Sequence, residues 1–159
     1  MLWLMGRPPV AVVPGPLRPL PFDPGVLVGR APDGAPAPLS LRGGAVVLYV
    51  DDQCPFCVRE MGAWHRESGG AVPARLRIVR GPAGGAPHPG IVPASWAHAA
   101  MLDHDGSIGA ALGVGAVPFL AVTDSRGWVV EASVGLTPPG RIRTLLQSFT
   151  TNPQGVVHE

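Results

Sequence analysis

An apolar run, Ala45-Val46-Val47-Leu48-Tyr49-Val50, leads through Asp51-Asp52-Gln53 into Cys54-Pro55-Phe56-Cys57. The run reads as a buried strand, and the residues after the motif, Val58 to His65, can be helical. A strand that ends in Cys-x-x-Cys and turns into a helix places a thiol at the helix N-terminus. Free N–H groups and the helix dipole favour an anion there, so the thiolate form is stabilised. The helix has a clear start: Cys54 falls at the N-cap and Pro55 at the first helical position, where a missing N–H costs nothing. Val58, Met61 and Trp64 recur at three-residue spacing and give it a buried stripe, and Gly69-Gly70 ends it. The motif holds the chain's only two cysteines, too few for a disulfide-stapled fold, so the pattern points to redox chemistry.

Length and charge narrow the rest. At 159 residues the chain suits one domain, and a net charge of +1 offers nothing to a nucleic acid. All twelve basic residues are Arg, which fits a GC-rich coding sequence and leaves no lysine amine to tune or attack anything. The apolar start, Met1 to Met5, is far short of the ~20 residues of a membrane span. Arg7 follows that run rather than preceding it, the reverse of a signal peptide. The expectation is a cytoplasmic monomer, the alternative being an exported protein whose anchor lies upstream of the start.

Half of the twenty prolines fall in the first forty residues, which forbids a regular helix or inner strand there. Residues 1–38 read as an extended Pro-rich arm, with Val26-Leu27-Val28 pairing briefly with a sheet edge, 39–149 as the folded domain and 150–159 as a tail. Within the domain, Arg75 to Arg80 reads as a second strand and Gly81 to Pro93 as a Gly/Pro-rich loop. Trp96 to Asp103 is ambiguous between helix and strand. Ser107 is expected to cap a helix over Ile108 to Leu112. Phe119 to Val122 and Trp128 to Ala132 form a hairpin across Asp124 to Gly127. Ile142, Leu145, Leu146 and Phe149 give a last helix its buried face.

The order strand, Cys-x-x-Cys helix, strand, helix, Val117-Pro118, hairpin, helix resembles the thioredoxin fold, from about Leu39 to Phe149. The implied architecture is α/β, a central mixed sheet flanked by helices. Leu102-Asp103-His104-Asp105-Gly106-Ser107, continuing to Val117-Pro118-Phe119-Leu120, is similar to the tethered or exported thioredoxin-like reductases. That resemblance implies a proline in cis at Pro118, facing the dithiol, with Val117 offering its backbone to a substrate strand. The chain departs from thioredoxin in its inner pair, Pro55-Phe56, nearer the glutaredoxin Cys-Pro-Tyr-Cys. It also has Leu48 where thioredoxin carries a buried Asp. Tyr49 to Glu60 resembles, in addition, peroxiredoxin-like proteins with Cys-Pro-x-Cys, which would make Cys57 the peroxide-reacting sulfur. The Thr or Ser those enzymes need three residues earlier is Cys54 here.

The leading expectation is a thiol–disulfide oxidoreductase. Cys54 attacks a substrate disulfide and Cys57 resolves the intermediate. Val117 and Pro118 hold the substrate, and Phe56 adds an apolar rim. Glu60, one turn beyond Cys57, is a candidate proton relay, the plain alternative being a pairing with Arg59, Arg66 or solvent. Asp51 and Asp52, read as solvated, disfavour a thiolate, so a reducing or intermediate couple is expected. Electrons would pass to or from protein disulfides or a dithiol partner with no bound cofactor. His65, His98 and His104 read as surface groups and not as zinc ligands. Trp64, Trp96 and Trp128 read as core. A peroxide reductase using Cys57 and a non-catalytic interaction module are the other two readings.

Overall fold

The chain is described by a computed structural model covering residues 11–13, 27–82 and 90–151. Eight strands form one mixed sheet in the order β1-β8-β7-β4-β5-β6-β2-β3. The central strands are β4 (Val46–Val50), β5 (Leu76–Arg80) and β7 (Phe119–Thr123). β4 is parallel to β5 and antiparallel to β7, and all five of its residues are buried. That explains its unbroken apolar run, since a strand covered on both faces needs no alternation. β8 (Val129–Val134) completes the hairpin with β7, and β1 (Ala11–Val13) pairs with β8. On the other flank β6 (Ala100–Leu102) runs parallel to β5. The hairpin of β2 (Val28–Arg30) and β3 (Pro36–Pro38) joins it through Arg30 opposite Leu102.

Two apolar layers follow from the strand pleat. On one face Val46, Leu48 and Val50 pack with Ile78, Ala100 and the helices α1 (Pro55–Glu67) and α3 (Pro139–Thr151). On the other, Val47, Tyr49 and Val79 pack with Ile108 and Leu112 of α2 (Ser107–Leu112). Trp64 and Trp96 are fully buried in the first layer, while Trp128 is only half-buried, with the Arg126 guanidinium 4.1 Å over its ring.

Where the stretch 1–38 is described it is β1, paired with β8, and a hairpin that turns over residues 32–34 and, against expectation, puts β2 inside the sheet between β6 and β3. Val26 and most of that stretch lie outside the described residues, as do the middle of the Gly81–Pro93 loop and residues 152–159. Thr150 and Thr151 belong to α3 rather than to a tail. The ambiguous Trp96–Asp103 segment divides into a 3-10 helix, Ala94–Ala99, and β6. Ser107 is not a cap. Gly106 holds that place at φ 75°, and Asp103 supplies the acceptors instead, taking the N–H of Ile108 at 3.1 Å and of Gly109 at 2.9 Å. Gly109 leaves room for this arrangement, since a Cβ there would lie 2.8 Å from the Tyr49 hydroxyl.

Candidate active site

The cysteine pair is built by the end of β4. Beyond Val50 the chain turns, with Asp51 Oδ1 accepting the Gln53 N–H at 2.8 Å and the Asp51 carbonyl accepting the Cys54 N–H at 3.1 Å. Cys54 is the N-cap of α1, extended at φ −101° and ψ 110°, and Pro55 follows in the first turn. Its sulfur does what a Ser or Asp oxygen does at other N-caps: it accepts a first-turn N–H, that of Cys57, at 3.3 Å, shared with the Cys54 carbonyl at 3.1 Å. Both residues are free thiols, Cys54 half-buried and Cys57 wholly buried. Burial, then the hydrogen bond with Cys54, pushes the Cys57 thiol well above the usual cysteine range.

Val117 and Pro118 reach this sulfur through the sheet register. Tyr49 pairs with Phe119, so the residues just before β7 lie beside the end of β4. The Val117–Pro118 bond is cis, and the Cys54 thiol donates to the Val117 carbonyl at 3.8 Å. Pro118 is buried, Val117 half-buried, and Phe56 is 40% exposed at the mouth of the helix. Cys54, Cys57 and Val117 thus meet at one helix start, with Phe56 between the cysteines in the chain.

Two acids differ from their sequence reading. Glu60 faces neither Arg59, Arg66 nor solvent. It is 1% exposed, with Oε1 accepting the Trp64 indole N–H at 2.9 Å and Oε2 accepting the Thr137 N–H at 2.8 Å. Burial raises its carboxyl above the usual glutamate range, and the hydrogen bonds from Thr137 and Trp64 oppose the rise. Asp52 is not solvated either. It is 1% exposed and holds Arg80 in a two-pronged ion pair, through Nε at 3.1 Å and through an Nη. Asp and Arg stand 28 positions apart in the chain, and only the β4–β5 pairing brings them together. The sequence signal was a charged residue closing each of two adjacent strands.

His98 and His104 are exposed, and His65 is half-buried against the Trp96 ring at 5.3 Å. Among the described residues no three His, Cys, Asp or Glu are gathered as metal ligands, and no helix is long and apolar enough to cross a membrane.

No protein-family model matches the sequence, and no curated protein is similar to it. Solved structures are similar. DsbF of MTB superposes with a TM-score of 0.62 at 21% identity, over 80% of this chain and 98% of that one. A secreted Mycobacterium tuberculosis disulfide oxidoreductase homologous to E. coli DsbE gives 0.56 at 19%, over 79% and 97%. The exposed lipoprotein thioredoxin Etrx1 of Streptococcus pneumoniae gives 0.57 at 17%, over 77% and 98%. At such identities the likeness speaks for architecture, and it agrees with the strand order and the helix placement: this chain has a thioredoxin-like fold.

Proposed function

We propose that this protein is a thiol–disulfide oxidoreductase acting on disulfides of other proteins. The observation that carries the reading is the Cys54 sulfur, half-exposed at the start of α1, between the N–H of Cys57 and the carbonyl of Val117. In the reducing direction the Cys54 thiolate attacks one sulfur of a substrate disulfide. The Cys54–substrate bond forms, the substrate S–S bond breaks, and the leaving sulfur takes a proton. Cys57 then gives up its proton and attacks Cys54 Sγ. The Cys54–Cys57 disulfide forms and the second substrate thiol departs. Two electrons and two protons have passed to the substrate, and a dithiol partner returns them. Sulfur carries every electron, so the cycle needs no bound cofactor.

The other residues fit the same cycle. Val117 offers its main chain beside Pro118 to an extended substrate segment, which recognises a strand without reading its sequence. Phe56 gives that segment an apolar contact. Cys57 must lose a proton that its buried site holds tightly, and Glu60, one turn along α1, is the acid whose burial brings its proton affinity towards neutrality. It stands in for the acid that Leu48 does not supply. Peroxide reduction by Cys57 would need that sulfur open to peroxide as a thiolate, and its burial and raised thiol favour Cys54 as the attacking group. The secreted and lipoprotein character stated for two of the similar structures supports an extracytoplasmic place for this chain as well.

The test is a Cys57→Ser variant mixed with a peptide disulfide. A stable mixed disulfide, mapped to Cys54 by mass spectrometry, is the expected product. A variant that forms none, beside a wild-type protein that leaves insulin disulfides intact, would refute the reading.

A further inference from the structure

A cavity of about 390 Å³ opens on the flank of β4 away from Val117, and its size is that of a ligand pocket. Asp52, two residues before Cys54, forms part of its wall. The sheet register fixes its other residues. Val50 pairs with Arg80, Arg80 with Leu102, and Leu102 with Arg30, so these four stand in one row across β4, β5, β6 and β2. Residues directly opposite share a sheet face. This face is the one that carries α1, as Val50 and Ala100 in its core show. At the usual strand spacing Arg30 lies about 14 Å along the row from Val50. Ile91, Ala100 and Leu102 supply an apolar lining between the two guanidinium groups.

The two arginines are not equivalent. Arg80 is committed to Asp52, a buried carboxylate that would be costly to leave unpaired, and the pair is electrically neutral. Arg30 donates to the Gly34 carbonyl at 2.9 Å, which folds it over the β2–β3 turn, and among the described residues no carboxylate pairs with it. Among the described residues, the pocket therefore carries one positive charge without a carboxylate partner above an apolar lining. A disulfide has two halves, and one can lie along Val117 on the β7 side of β4 while the other extends over the β5 side, where this pocket lies. We propose that the pocket is a specificity subsite, in which Arg30 receives an Asp or Glu side chain of the peptide segment bearing the leaving thiol. This rests on the thiol–disulfide reading above and adds to it which substrates are preferred.

Three peptide disulfides differing only in a Glu, Gln or Arg beside the leaving cysteine test it, with dithiothreitol as recycling reductant and kcat/KM as readout. The Glu peptide is expected to react about three- to tenfold faster than the Gln peptide, with the advantage shrinking in high salt. Arg30→Gln should remove the advantage and Arg30→Glu should transfer it to the Arg peptide, both with the Gln peptide unchanged. Arg126→Gln alters net charge equally at the β7–β8 turn, at the opposite end of β4, and should keep the preference. Equal rates for the three peptides, or a preference that Arg126→Gln also erases, would overturn the subsite while leaving the oxidoreductase standing. No reduction of any peptide would remove both.

Discussion

Asp103 and Glu60 are buried on opposite faces of the sheet, and the two are held differently. Asp103, on the α2 face, is fully buried and receives three donors: the Tyr49 hydroxyl at 2.7 Å and the N–H groups of Ile108 and Gly109. Two of those donors are the free N–H groups of a helix start, which no intrahelical carbonyl takes up. Glu60, on the α1 face, receives two donors, neither from a helix N-terminus, and its burial raises its proton affinity. Asp103 closes a short helix that feeds the Val117–Pro118 turn, and Tyr49 is locked to it. Burial, then Asp103, holds the Tyr49 hydroxyl well above the usual tyrosine range. Glu60 sits one turn from Cys57, and in the proposed cycle it is the acid that exchanges a proton with that thiol. Burial alone does not mark a functional acid; the completeness of its donor set separates the two.

The largest expected effect comes from breaking the complete set. Asp103→Ala leaves three donors unmatched and should cost about 4 kcal/mol of stability in urea unfolding. What stays folded should still reduce disulfides. Glu60→Gln keeps the shape and removes the titrating group. It should slow the resolving step, read as decay of the Cys54–substrate mixed disulfide, by about 10²-fold. A stability loss with no change in that decay would assign Glu60 the same role as Asp103. Tyr49→Phe removes one donor from Asp103 and should cost about 1.5 kcal/mol, with the rate of insulin reduction unaltered. The smallest effect is in pH dependence. The folded state binds the Glu60 proton more tightly than the unfolded chain does. Its contribution to stability is therefore greatest below the ordinary glutamate value and falls as pH rises to the raised one. Urea midpoints across that window should decline in wild type and decline less in Glu60→Gln.

What could be read in advance follows the distance along the chain over which each feature is specified. The β4–Cys54–α1 unit, the β7–β8 hairpin and the buried face of α3 depend on neighbours a few residues away, so run, cap and period were legible. The far end of α1 was less so, because the helix runs past His65 to Glu67. The Asp52–Arg80 pair, the Tyr49–Asp103 bond across 54 positions and the place of β2–β3 beside β6 depend on strand order. A sequence shows a charged residue at a strand end and is silent on which strand lies next to it. Asp52 accordingly read as solvated, and the plain alternative for Glu60 as a pairing with Arg59, Arg66 or solvent, though both are closed in by segments from elsewhere. The same blindness hid the Arg30 subsite, whose row of residues comes from four strands.

Alkylation of the reduced, folded wild-type protein tests the division of labour between the sulfurs most directly. With limiting iodoacetamide near neutral pH and peptide mapping, Cys54 should be modified first and almost alone, with Cys57 reacting only once the protein is unfolded. Equal labelling of the two cysteines, or faster labelling of Cys57, would contradict the assignment of Cys54 as the exchanging thiol.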